Sequence, residues 1–134
     1  MCIRDSGNGT ETCNLYRKHF RPSFEHSDPV VSVGVNVLCA ESEREAALML
    51  ESLERWRKDG LRGPIPKAVN EESQSSVTVL SPSRPMVVGT PEIVYEQLLF
   101  VANAYQAEEL LIVTICHDHE QRKNSYRLIA EQFQ

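Results

Sequence analysis

The sequence predicts an α/β fold. Three observations predict it. Two apolar segments without charge, Val30–Ala40 and Leu110–Cys116, have strand character. A helical pattern follows each of them closely. Capping residues mark where those helices open. Strands alternating with helices argue for crossover connections and a parallel sheet.

Residues 11–20 fit the end of a helix, with Leu15, Tyr16, His19 and Phe20 at helical spacing on one face. Arg21-Pro22-Ser23 stops it, because the residue before proline is pushed out of the helical region. In Val30–Ala40, Val31, Val33, Val35 and Val37 alternate with Ser32, Gly34, Asn36 and Leu38. The β-branched residues favour an extended chain. Neither face is charged, so the strand is expected to be covered on both sides. Ser42 and Glu45 have capping-box spacing, each side chain expected to satisfy a free backbone N–H. Ala46, Leu48, Met49, Leu53 and Trp56 continue that helix, and Asp59-Gly60 ends it with a left-handed cap.

Residues 61–85 read as one long loop, rich in proline and serine, with Val77–Leu80 as a short strand within it. Thr90, Pro91 and Glu92 suit the N-cap and first turn of a helix ending near Tyr105. Glu108-Glu109 reads as a solvated loop before the second strand, and a last helix is expected over about Glu120–Phe133. Two strands would leave both as edges with unpaired backbone groups, so partner strands are expected from elsewhere.

Composition excludes several classes. The chain has 134 residues, with 14 Lys+Arg against 19 Asp+Glu and a net charge of -5. That balance gives no electrostatic reason to seek nucleic acid or an anionic membrane. The cluster Arg55, Arg57, Lys58 reads as a helix C-terminus favouring cations. No apolar run approaches the ~20 residues of a membrane helix. Cys2, Cys13, Cys39 and Cys116 are widely spaced, fitting reduced, buried thiols in a cytoplasmic protein. Residues 1–10 have no periodicity, and Met1-Cys2-Ile3-Arg4-Asp5-Ser6 resembles translated adaptor sequence. They are expected to be a disordered or non-native leader, with the reading frame continuing upstream.

Four blocks carry a family resemblance. They are Leu15-Tyr16-Arg17-Lys18-His19-Phe20-Arg21-Pro22-Ser23; Val33–Val37 with Ala40-Glu41-Ser42 and Glu45-Ala46; Val87-Val88-Gly89-Thr90-Pro91-Glu92; and Asp118-His119 with Arg122, Ser125 and Tyr126. Their order and spacing resemble the luciferase-like flavin-dependent monooxygenases, in the luciferase family oxidoreductase subgroup. The resemblance implies the C-terminal part, about two βα units, of a TIM (β/α)8 barrel over residues 11–134. Val30–Ala40 would be the seventh strand and Leu110–Cys116 the eighth. It also implies an intact protein that uses FMN, or a related flavin, and O2 on a small organic substrate. The family's flavin-phosphate loop would lie before residue 1, so no catalytic or cofactor-binding residue is carried over. The fragment alone is expected to be inactive and to hold no cofactor.

Cys116-His117-Asp118-His119 is the richest polar cluster and lies at the end of the second strand pattern. In a barrel that end is the active-site face, so with Asn36 these residues are the candidate pocket rim. Asp118 also suits a helix N-cap, and Asn36 suits a hydrogen-bonded interior position. A metal site is not expected, since consecutive residues rarely converge and no second Cys/His cluster completes a shell. The alternative reading is a stand-alone α/β interaction module that forms a homo-oligomer through its strand edges. A further alternative is a non-catalytic relative that keeps the barrel without flavin.

Overall fold

The computed structural model describes residues 2–3, 9–68, 80–81 and 84–134. In chain order the elements are β1 (Cys2–Ile3), α1 (Gly9–His19), β2 (Ser32–Cys39), α2 (Glu43–Lys58), β3 (Leu80–Ser81), β4 (Arg84–Gly89), α3 (Pro91–Tyr105), β5 (Glu109–Val113) and α4 (His119–Gln132). Of the expected leader, Cys2–Ile3 pair with the sheet and Gly9–Thr10 open α1.

The sheet is built around β2. Along one edge it pairs in parallel with β5, from Ser32↔Glu109 to Asn36↔Val113. Ser32 and Val33 also pair with β1, and Asn36–Cys39 with Met86–Gly89 of β4, so β1 and β4 share the opposite edge. β3 runs antiparallel to β4. The expected pair of strands is thus too few, and part of the expected loop at 61–85 is sheet. β4 is short, and Pro85 sits near its start, where the missing N–H is tolerated. Val77–Val79 of the expected short strand lie outside the described residues; Leu80 opens β3.

The alternation along β2 sets two cores. Val33, Val35, Val37 and Cys39 face Cys13 of α1, Val94, Leu98 and Val101 of α3, and Leu128 and Ile129 of α4. Leu38, with Met86 and Val88 of β4, faces Ala46, Met49, Leu50 and Leu53 of α2. Each such aliphatic side chain contributes roughly 1.5–3 kcal/mol on burial. Coverage on both faces therefore holds for the C-terminal half of β2 only. Ser32, Gly34 and Asn36 stay half-exposed, because α2 reaches no further than Leu38. On the same open face, Leu111 and Val113 of β5 are 42% and 43% exposed.

The helix ends follow local chemistry. Ser42 Oγ accepts from Glu45 N at 3.3 Å, while the Glu45 carboxylate takes the Ser42 hydroxyl at 3.2 Å rather than its backbone N–H. At the other end of α2, Gly60 has φ 72°, with Leu61 N–H on Trp56 O and Gly60 N–H on Arg57 O. These are the two bonds of a Schellman cap. Thr90 occupies the N-cap of α3 without a side-chain cap bond, and Pro91 takes the first helical position.

In α1 the buried face differs from the expected one. Cys13 is fully buried and Tyr16 packs against the core, while Leu15 is 52% exposed. Arg17 explains the rotation. Its Nη2 donates to the carbonyls of Tyr105 and Gln106, where α3 ends with Gln106 in the left-handed region. A cation there meets the negative end of the α3 dipole.

Glu108-Glu109 is not a free solvated loop. The Glu108 carboxylate accepts from Val31 N–H at 2.7 Å, and Glu108 N–H donates back to Val31 O at 3.1 Å. The Glu109 carboxylate accepts from the Ser32 hydroxyl at 2.7 Å. Together they clamp the start of β5 to the start of β2.

β5 ends at Val113, short of the expected Cys116. Thr114 N–H donates to the Tyr126 hydroxyl at 3.0 Å, and its hydroxyl donates to Val37 O at 2.8 Å. Ser125, fully buried, accepts from Cys39 N–H at 3.1 Å. So α4 takes over the backbone groups that the strands release. Among the described residues no helix is long and apolar enough to cross a membrane.

Removing the Ser125 hydroxyl leaves the Cys39 N–H buried without a partner, at a cost of about 1–3 kcal/mol. We expect Ser125→Ala to destabilise the chain by that amount in urea unfolding followed by Trp56 fluorescence. A change below about 0.5 kcal/mol, the low end for a net hydrogen bond, would mean the bond is dispensable.

Candidate functional site

The segment after α2, a strap, is bound to that helix by three side chains. Trp56 Nε1–H donates to Gly63 O at 3.1 Å, the Ser52 hydroxyl donates to Pro66 O, and Arg55 donates to Lys67 O at 3.3 Å. Ser52 is 3% exposed, so its hydroxyl requires that carbonyl. A fourth bond crosses to the loop between β5 and α4, where His117 Nδ1 lies 2.6 Å from Ile65 O. A carbonyl only accepts, so Nδ1 carries the proton and a neutral ring leaves Nε2 with its lone pair.

These contacts enclose a cleft of about 260 Å³. Leu48, Met49 and Ser52 of α2 form one wall. Lys67 and Ala68 form the second; His117, Asp118 and Gln121 form the third. A much smaller pocket next to it shares Met49 and Gln121, and adds Cys39, Ala40, Glu45 and Asn124.

The residues expected at the rim divide. His117 and Asp118 line the cleft. Asp118 is also the N-cap of α4: its Oδ1 accepts from Glu120 N–H at 2.7 Å and Gln121 N–H at 3.0 Å. Those bonds, with the neighbouring imidazoles of His117 and His119, hold its carboxyl below the ordinary 3.8. Cys116 lies in the α2-side core, its Sγ–H donating to Asp118 O at 3.2 Å. Burial pushes its thiol up, which opposes nucleophilic use. Cys39 is pushed up to about 12, again by burial. His119 turns away into α4, where its Nδ1 accepts from Arg122 Nη2 at 2.7 Å. Asn36 is on the open face of β2, outside the cleft, with no side-chain partner among the described residues.

Sequence reasoning missed Ser52, Lys67 and Gln121. Ser52 carried a usable signal, as a hydroxyl on the apolar stripe of a helix must find an acceptor. Lys67 and Gln121 carried none, being ordinary exposed residues. Among the described residues, no three His, Cys, Asp or Glu side chains converge as metal ligands.

No family model matches the chain. It is 36% identical to the uncharacterized protein YwcH of Bacillus subtilis, across 96% of this chain and 41% of YwcH. It is 24% identical to a luciferase-like monooxygenase of Escherichia coli, across 90% of this chain and 38% of that protein. The crystal structure of apo-MsnO8 superposes with a TM-score of 0.75 at 28% identity, across 94% of this chain and 41% of that one. The chain is thus distantly similar to proteins named luciferase-like monooxygenase, and spans about two fifths of the length of the relatives it matches.

Asp118 makes acid stability testable. Its folded pKa is lowered, so its contribution is fully present above the ordinary 3.8 and is lost as pH falls through the folded value. Asp118→Asn keeps an acceptor oxygen but no charge. We expect the variant to unfold at lower urea than the parent chain at pH 6, and the two midpoints to converge below pH 3.8. Midpoints that stay parallel across that range would remove the charged cap as the cause.

Proposed function

We propose that the chain is the C-terminal portion of a luciferase-like flavin-dependent monooxygenase. On this reading β2–α2 and β5–α4 are the last two βα units of a TIM barrel. The intact protein uses reduced FMN, or a related flavin, and O2 to insert one oxygen atom into an organic substrate.

One observation carries the reading. β5 lies in parallel register beside β2, its other edge has no partner among the described residues, and the face bearing Asn36, Leu111 and Val113 is uncovered. A closed barrel gives such an edge a neighbouring strand and fills such a face with interior side chains. Similarity over about two fifths of proteins named luciferase-like monooxygenase supports the same reading.

On this reading the flavin is held mainly by strands other than the described ones. When bound in the intact protein, the flavin supplies the oxygen chemistry. His117 and Asp118 would contribute part of the substrate rim.

The free edge of β5 also favours a second reading, a module that self-associates. Beside that edge runs an apolar groove of about 350 Å³, with Leu98, Leu99, Leu110, Ile112 and Phe133 among its walls.

Two measurements separate the readings. The nucleotide sequence upstream of codon 1 should encode about six more strand–helix units, and the longer protein should oxidise reduced flavin with O2 while this chain does not. A start codon preceded by an in-frame stop, or flavin turnover by this chain alone, would overturn the fragment reading. A discrete, cooperatively melting dimer on size-exclusion chromatography would favour the module.

A further inference from the structure

The groups around the cleft divide into those already used and those still free. The Ser52 hydroxyl is spent on Pro66 O, and Asp118 Oδ1 on two α4 amides. The Asp118 charge also faces the positive end of that helix, which offsets it. Three polar groups have no side-chain partner among the described residues: the Lys67 ammonium, the Gln121 amide and Nε2 of His117. Leu48, Met49 and Ala68 add apolar surface beside them. At ~30 Å³ per water, the space corresponds to roughly nine waters, the size of a short-chain organic acid.

We propose that this cleft binds a small organic monocarboxylate. The carboxylate lies against Lys67 and the Gln121 amide, and the tail against Leu48 and Met49. The chemistry selects an anion over a cation. Lys67 repels an ammonium, while the lining carboxylate is already engaged by backbone N–H groups. Charge-assisted hydrogen bonds give a carboxylate the larger gain.

The charged groups lining the cleft are Lys67 and Asp118; α2 brings none.

The inference rests on His117 and Asp118 forming a pocket rim and not on flavin chemistry. The test is a ¹H–¹⁵N NMR titration of the chain with sodium hexanoate, hexan-1-ol and hexylamine. It contains neither flavin nor reductant. Failure here would leave the oxidoreductase reading standing, and an upstream sequence without a barrel would leave a positive binding result standing.

We expect saturable shifts with hexanoate at the Gln121 and Ser52 amides, weaker ones with hexan-1-ol and none with hexylamine. Lys67→Gln should weaken hexanoate binding by about tenfold, the loss of one charge-assisted contact. Lys67 is exposed, and Trp56 fluorescence checks that the variant keeps the strap docked. Equal binding of hexylamine and hexanoate, an unchanged Kd in Lys67→Gln, or shifts centred on Leu98 and Phe133 would each overturn the proposal.

Discussion

A strand that leaves a sheet must hand its backbone groups to something else, and here α4 receives them. Ser125 and Tyr126 take the N–H groups of Cys39 and Thr114, and the Thr114 hydroxyl takes Val37 O. Thr114 and Ser125 are buried, where an unmade hydrogen bond is expensive. This junction stops β5 at Val113 and fixes the angle at which α4 starts. It also holds the loop from Thr114 to Asp118 against α2. The position of His117, and with it one wall of the cleft, depends on that junction.

The blocks that carry the family resemblance acquire physical roles in this frame. Arg17 closes the end of α3, linking two helices far apart in sequence. Gly89 leaves room where a Cβ would come within 3.1 Å of Ile93. Asp118, Ser125 and Tyr126 respectively cap α4 and tie it to the sheet. Each is a matter of architecture, so the blocks speak for the fold more strongly than for a reaction.

What was legible in the sequence was local. β2 declared itself through alternating valines, α2 through Ser42, Glu45 and Gly60, and α4 through Asp118. β4 was hidden because Pro85 lies within it, Pro82 and Pro91 flank it, and only Met86–Gly89 pair with β2. The rotation of α1 was hidden because it is set by the end of α3, not by the helix's own periodicity. For the cleft, His117 and Asp118 stood out as a polar cluster, but the wall opposite comes from a strap without pattern. Its bond to His117 spans 52 residues, and no local rule reaches that far.

The clamp between Glu108 and Val31 has a consequence for how the chain comes to be folded. It joins residues 77 positions apart, and the whole β2–β5 ladder shares that separation. Closing so long a loop must precede any gain from the ladder. During synthesis at ~5–20 residues per second, β2 emerges roughly 4–15 s before β5 exists to receive it. Over that interval the most valine-rich segment of the chain is a strand with one edge waiting. Its earliest safeguard is α2, which follows β2 directly and can cover Leu38 while the ribosome is still making the rest.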